Sequence, residues 1–148
     1  MSHEHFMQAA LEQARLGLVA GEVPIGAVVV VGEEIIARGF NQPISAVDPT
    51  AHAEVVAVRA AAKVVGNYRL VGATVYVTVE PCMMCVGALS HARVAAVVYG
   101  APEPRTGSLV STLQGLASTG LHHRFEVTAG IREAECRDLI QEFFRARR

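Results

Sequence analysis

Hydrophobic side chains recur along this chain with two periods, and the changes of period predict the order of its secondary-structure elements. Near the start they return every three to four residues, which predicts an amphipathic helix over about residues 3–20. Two runs rich in β-branched residues follow, at 24–31 and 34–39. Only Gly32-Glu33 separates them, and so short a link predicts an antiparallel hairpin.

The rest of the chain alternates between strand and helix patterns. Asp48-Pro49-Thr50 predicts the start of a helix running through residues 51–65, because Asp can cap free amides and Pro is tolerated in a first turn. The further predicted elements are a strand at 74–79, a helix opened by Glu80-Pro81 and reaching about residue 92, strands at 94–99 and 125–128, and a helix at about 132–145. This alternation predicts an α/β domain of three layers, with a mixed sheet of about five strands and helices on both faces.

The composition narrows the class of protein. A chain of 148 residues fits one domain. No apolar stretch approaches the ~18 residues of a membrane span, and the N-terminus lacks the layout of a secretory signal, so we expect a soluble cytoplasmic protein with no membrane partner. The net charge of −1 gives no global sign of nucleic-acid binding. Any contact with RNA must therefore be local.

Two of the three cysteines, Cys82 and Cys85, form a C-x-x-C pair, which in a cytosolic chain indicates metal or redox chemistry. Placed three apart in a first helical turn, both thiols lie on one face. A structural zinc site would need a fourth protein ligand, and the histidines that could supply one are His91, His122 and His123. The pair alone leaves the redox, structural and catalytic interpretations open.

His52 completes a set of three ligands, the number that a catalytic zinc takes while it keeps one position open for water. We expect His52 in the first turn of its helix, so that two helix starts converge on one zinc per chain. Glu54 lies roughly 200° around an ideal helix from His52, which places it beside the ion rather than on it. A carboxylate there can move a proton from zinc-bound water to a leaving group. The combination favours a catalytic site.

These residues resemble a known signature. His52-Ala53-Glu54 followed by Pro81-Cys82-Met83-Met84-Cys85 is similar to the H-x-E and P-C-x-x-C motifs of cytidine and adenosine deaminases. The resemblance implies a cytidine-deaminase-like fold over residues 1–148, zinc held by His52, Cys82 and Cys85, and Glu54 as proton shuttle.

Flanking segments extend the likeness over nearly the whole chain. The segments that resemble bacterial tRNA adenosine deaminases are residues 22–28, 48–54, 67–70, 78–82 and 143–148. This closer resemblance implies a hydrolase that converts adenosine to inosine at the wobble position of a tRNA anticodon. It further implies an anticodon stem-loop as partner and a homodimer as the assembly.

The resemblance also implies contacts to the target base. Asn41 would hydrogen-bond a flipped adenine, whose N7 and N6 suit a side chain that both donates and accepts. Val23 would pack on the base, and the amide of Ala53 would help to read its edge. From the residues alone, the alternatives are a turn at Asn41 and core packing at Val23.

Contacts to the rest of the RNA are implied nearer the C-terminus. Arg145, Arg147 and Arg148 would contact the anticodon stem-loop, because the guanidinium fork binds phosphate bidentately. Without the resemblance they would be a solvated helix end with favourably placed cations. His123 matches a substrate loop of the family, and Glu103 stands in a Pro102–Pro104 segment that departs from the family pattern. That departure affects contacts to flanking nucleotides.

Two rival functions remain. The first is a deaminase of the same chemistry that acts on a small molecule, such as guanine, cytosine or a nucleotide. The basic C-terminal cluster distinguishes the two, because it favours an RNA substrate over a small molecule. The second is a non-catalytic, zinc-stabilised RNA-binding module, in which Glu54 beside the ion would have no purpose.

Overall fold

The computed structural model describes residues 1–117 and 120–147, and helices alternate with strands along them. The helices are α1 (His3–Val19), α2 (Ala53–Val65), α3 (Met83–His91) and α4 (Glu133–Arg145). The strands are β1 (Gly26–Val31), β2 (Glu34–Phe40), β3 (Thr74–Val79), β4 (Ala96–Ala101) and β5 (Glu126–Thr128). Every predicted element is present. None of the helices in these two ranges combines the length and apolar composition that crossing a bilayer requires.

The five strands form one mixed sheet in the order β2-β1-β3-β4-β5, which confirms the predicted sheet. β1 is antiparallel to both of its neighbours, whereas β3, β4 and β5 run parallel. Because β1 runs against both β2 and β3, those two strands point the same way and their carboxyl ends share one edge of the sheet. α2 follows β2 and α3 follows β3, so both helices begin at that edge.

Two helices cover each face of the sheet, as predicted. On one face Phe6 and Leu11 of α1 and Cys136 of α4 pack with inward side chains such as Val28 and Val98. The opposite face carries α2 and α3, and the cluster there includes Ala57, Leu89, Val75 and Val97. β1, β3 and β4 are buried on both sides. Their nearly continuous apolar sequences follow from that double burial.

Helix α2 begins later than predicted. Asp48 does not cap it, because Oδ1 of Asp48 accepts hydrogen bonds from the amide and the hydroxyl of Thr50, at 2.8 and 2.7 Å. This local turn competes with the helix for the side-chain oxygen. His52 is therefore the N-cap, with φ −72° and ψ 153°, and Ala53 is the first helical residue. The prediction of His52 inside the first turn is wrong by one position.

Gly39 of β2 allows α2 to lie close against the sheet. A Cβ at Gly39 would stand 2.8 Å from the amide nitrogen of Ala57 and 3.0 Å from the carbonyl oxygen of Ala53. Both are backbone atoms of α2, so no side-chain rotation relieves the contact.

We predict that Gly39→Ala lowers the free energy of unfolding by about 1–3 kcal/mol, the usual range for overpacking. Gly17→Ala is the matched control, because the atoms nearest to its Cβ belong to the side chain of Phe40, the nearest at 3.2 Å, and alanine is favoured over glycine within a helix. Urea denaturation of both variants measures the difference. Equal stability of the two variants would contradict close backbone packing at Gly39.

Candidate active site

Three side chains of metal-binding type meet where α2 and α3 begin. His52 is the N-cap of α2, Cys82 is the N-cap of α3, and Cys85 lies within the first turn of α3. Neither N-cap side chain makes a capping hydrogen bond. Instead, Nδ1 of His52 lies 3.5 Å from the sulfur of each cysteine. All three ligand atoms lie within 4.8 Å of one another.

The spacing of these atoms fits one tetrahedral zinc. Zn–N bonds of about 2.0–2.1 Å and Zn–S bonds of about 2.3 Å place nitrogen and sulfur about 3.5 Å apart at tetrahedral angles. That is the separation of the His52 nitrogen from both sulfurs. One imidazole and two thiols are also a donor set that zinc prefers.

A fourth protein ligand is absent from the described part of the chain. The group that could hold an ion there consists of His52, Cys82 and Cys85 alone. The rings of His91 and His122 contact each other, with centroids 5.6 Å apart. Nε2 of His123 lies 2.8 Å from the carbonyl oxygen of Val94. The cluster therefore fits an open, catalytic type of site better than a closed structural one.

Hydrogen bonds within the cluster shift the pKa values of its three side chains. The hydrogen bond from the Cys85 thiol, helped by His52, lowers the pKa of Cys82 to about 4 although burial opposes the shift. The same bond, together with burial, raises the pKa of Cys85. The bond to Cys82 raises the pKa of His52. The lowered pKa favours the thiolate form of Cys82, which is the form that binds metals, and the helix N-terminus at which Cys82 stands also favours negative charge.

Glu54 lies beside the cluster and is only 4% exposed. Burial raises the pKa of its carboxyl group to about 7, and the nearby Cys82 thiolate adds to the shift. The carboxyl group also hydrogen-bonds with the Cys85 thiol. A carboxyl group that titrates near neutrality can both accept and release a proton, which suits general acid–base work.

A cavity of about 180 Å³ opens onto this cluster. The predicted site residues that line it are Val23, Asn41, His52, Glu54, Cys82 and Glu103. Pockets that enclose drug-sized ligands measure about 300–1,000 Å³, so this one suits a single base rather than a whole nucleotide. Asn41 is buried at the edge of the cavity, and its backbone N–H donates to the carbonyl oxygen of Ile25 at 2.9 Å.

Two other predicted residues, Ala53 and His123, do not line the cavity. Ala53 is buried and begins α2, so its amide is one of those without an intrahelical acceptor. His123 does not line the cavity, and its amide instead donates to Ser90 at 3.1 Å. Its role in substrate binding stays a prediction. Arg148 lies outside the described residues.

A shallow groove continues from the cavity across the end of α4. Phe144, which is 47% exposed, lines both the cavity and the groove. Arg105, Arg145 and Arg147 line the groove as well. The guanidinium carbon of Arg147 lies 3.9 Å from the ring centroid of Phe143. The mouth of the cavity is thus bordered by cationic side chains.

Sequence reasoning assigned no site role to the six further lining residues, which are Ile25, Val79, Glu80, Thr106, Ile140 and Phe144. Glu80 alone carried a signal, as a charged residue at the end of an apolar strand. The positions of Ile140 and Phe144 depend on how α4 packs across the sheet edge, which no local pattern specifies.

Comparison with known proteins identifies the family. The family model described as MafB19-like deaminase matches residues 1–148. The tRNA-specific adenosine deaminase of Haemophilus influenzae is 43% identical, over 98% of this chain and 84% of its own. This chain belongs to the family of bacterial tRNA adenosine deaminases. The cluster of His52, Cys82 and Cys85 therefore lies in an enzyme of the deaminase class.

Solved structures agree with this family and its fold. A structure from a study of A-to-I editing by tRNA:A34 deaminases at the wobble position of transfer RNA superposes with a TM-score of 0.90. The two chains are 41% identical, and the match covers 91% of this chain and 98% of the other. The predicted cytidine-deaminase-like fold is confirmed. A guanine deaminase from Bacillus subtilis is 47% identical with a TM-score of 0.66, over 69% of this chain and 66% of its own.

Proposed function

We propose that this chain is a zinc-dependent hydrolase that converts adenosine to inosine at the wobble position of a tRNA anticodon. The observation that carries the proposal is a three-ligand cluster, with Glu54 beside it, at the base of a cavity of single-base size. The groove of arginines at the cavity mouth supports an RNA substrate. The relatives named as tRNA-specific adenosine deaminases support the same substrate class.

His52, Cys82 and Cys85 would hold one zinc per chain, which when bound supplies a water acidic enough to act as nucleophile at neutral pH. Glu54 takes the proton from the attacking water and delivers it to the amino nitrogen that leaves C6 of adenine. The net reaction consumes adenosine and water and yields inosine and ammonia. Burial of Glu54 keeps its proton affinity close to that needed in both steps.

The target base is held by the cavity walls. Asn41 donates to and accepts from the purine edge, Val23 packs on its face, and the Ala53 amide at the start of α2 reads a further position. A base inside a helical stem cannot reach a site this enclosed, so the substrate base must be unpaired or flipped. An anticodon loop offers such a base.

RNA outside the cavity is contacted by a small cationic surface. Arg145 and Arg147, joined by Arg148, bind phosphates of the anticodon stem-loop, and exposed Phe144 offers a ring on which a neighbouring base can stack. Glu103 and His123 contact flanking nucleotides. The net charge of −1 over the whole chain requires that this binding be local.

We further propose that residues 1–148 form one deaminase domain that acts in the cytoplasm as a homodimer. Met83 and Leu113, which are 67% and 57% exposed, line an apolar groove together with Met84 close to Cys82. Exposed apolar groups that form a contiguous patch mark protein contacts. A second copy of the chain would cover this groove.

Deamination of free guanine is the second candidate function, because a guanine deaminase shares 47% identity over about two thirds of the chain. It requires the same metal ligands and the same proton shuttle. Deamination of free guanine does not require the arginines at the end of α4.

Elemental analysis tests the metal site. We expect one zinc per chain in protein purified without chelators, and its loss after Cys82→Ala or Cys85→Ala, because two ligands cannot hold the ion in tetrahedral geometry. Cys136→Ala is the matched control, since Cys136 is a buried core residue of α4 and its replacement should leave zinc bound. Full zinc occupancy in the Cys82→Ala protein would contradict the assignment.

Turnover of an anticodon stem-loop with adenosine at the wobble position tests the reaction. We expect inosine to form on this RNA, and free adenosine, guanine and cytidine to react poorly. Glu54→Gln should lower turnover by about 10²–10⁴-fold with zinc retained, because the amide keeps the shape but moves no proton. Faster turnover of free guanine would transfer the assignment to the second candidate. Loss of zinc from the Glu54→Gln protein would make Glu54 a ligand.

Alanine at Arg145 and Arg147 tests the groove. We expect the KM for the stem-loop to rise much more than kcat falls, and the dependence of binding on salt to weaken by about one unit of logarithmic slope per arginine. Arg38→Ala removes one positive charge from the exposed side of β2 and serves as the control for each single arginine variant. An equal effect of Arg38→Ala would reduce the groove to general electrostatic attraction.

A further inference from the structure

Glu80, between β3 and α3, collects the hydrogen bonds of a loop that is distant in sequence. It is 3% exposed and lines the cavity. Its carboxylate accepts from the amides of Glu103 at 3.1 Å, Leu109 at 3.2 Å, Val110 at 2.8 Å and Ser111 at 2.9 Å. The hydroxyl of Ser111 donates as well, at 2.5 Å. Every one of these donors belongs to residues 103–111, the cavity loop.

The donors of the cavity loop satisfy the charge of Glu80 without a cation. Within residues 1–117 and 120–147, Glu80 takes part in no salt bridge. Hydrogen bonds to an ionised carboxylate are roughly twice as strong as neutral ones. Leaving a buried carboxylate without its donors costs more than the bonds themselves contribute. The loop and the carboxylate therefore hold each other in place.

The sequence of the loop fits this carboxylate. Pro102 and Pro104 lack an N–H group, so Glu103 supplies the one amide donor of that tripeptide, and Glu80 accepts it. Gly107 lies so close that a Cβ there would collide with the Glu80 carboxylate. Gly107 also forms an antiparallel bridge with Cys82.

The cavity loop supplies one wall of the proposed base-binding cavity, through Glu103 and Thr106. The amide of Ser108 donates to the carbonyl oxygen of Pro81 at 2.8 Å, which adds a second tie to the start of α3. We propose that Glu80 is a positioning residue that fixes this wall against the cavity and thereby sets the affinity for substrate. It acts through the loop and not on the reacting atoms. The proposal rests on the proposed function for its substrate.

Glu22, which directly precedes the lining residue Val23, provides a matched comparison. It is 1% exposed and accepts from the amides of Ile44 and Ser45, at 3.3 and 2.6 Å, and from the hydroxyl of Ser45. It is as buried as Glu80 and holds a loop in the same way, but it has no hydrogen bond to the cavity loop.

Amide hydrogen exchange of the zinc-loaded, full-length protein tests the anchoring without any enzymatic assay. In Glu80→Gln, which keeps the shape but loses the charge and one acceptor oxygen, the amides of Leu109, Val110 and Ser111 should exchange about tenfold faster or more. Glu22→Gln should leave these amides protected. Unchanged protection in Glu80→Gln would overturn the anchoring role.

Ser111→Ala provides a milder variant in case Glu80→Gln folds poorly. It removes one hydroxyl donor and leaves the carboxylate and its amide donors in place. We expect a smaller increase in exchange at the same amides, and an unchanged pattern would again overturn the proposal.

Kinetics on the anticodon stem-loop test the effect on substrate. We expect Glu80→Gln to raise KM by about tenfold with kcat changed by less than about twofold, since an interaction outside the reacting centre contributes equally to substrate and transition state. Glu103→Ala should raise KM much less in the Glu80→Gln protein than in the wild type, because the wall is already displaced. In the Glu22→Gln protein it should raise KM by the same factor as in the wild type.

A fall in kcat that equals the fall in kcat/KM would overturn the positioning role, and so would additivity of Glu80→Gln with Glu103→Ala. If the wild-type protein does not deaminate the stem-loop, the proposed function fails. The exchange measurements then still decide whether Glu80 anchors the cavity loop.

Discussion

The reversed direction of β1 between β2 and β3 determines where chemistry can occur in this protein. Because β1 is antiparallel to both neighbours, the carboxyl ends of β2 and β3 share one edge, and α2 and α3 both start there. Helix starts carry free amides and partial positive charge, which stabilise thiolate and developing oxyanions. The regular elements of the fold thus bring His52, Cys82, Cys85 and Glu54 to one point.

Part of the cavity lining comes from less regular parts of the chain. Glu103 and Thr106 belong to the cavity loop, which hydrogen-bonds to buried Glu80. Val23 directly follows buried Glu22, which accepts hydrogen bonds from the loop residues Ile44 and Ser45. Loops placed by a rigid scaffold are the usual carriers of specificity. Here the placement uses charge inside the protein rather than additional apolar packing.

Much of this arrangement could be predicted from the sequence, because its determinants are local. Hydrophobic periods gave the order of elements, and the H-x-E and C-x-x-C spacings gave His52, Cys82, Cys85 and Glu54. The predicted start of α2 is too early because the side-chain oxygen of Asp48 accepts a hydrogen bond within a turn and does not cap the helix. The role of Glu80 was missed because its donors lie more than twenty residues away, and no periodicity records such a contact.

His52 and Cys82 occupy the two N-cap positions, and neither side chain caps its helix. Serine, threonine, aspartate or asparagine at such a position typically stabilises a helix by about 1 kcal/mol relative to a residue that does not cap. The fold therefore forgoes the stabilisation that a capping side chain would contribute at both positions. Selection for thermal stability alone would drive both positions toward capping residues, so thermostability screens of this chain favour inactive proteins unless activity is selected at the same time.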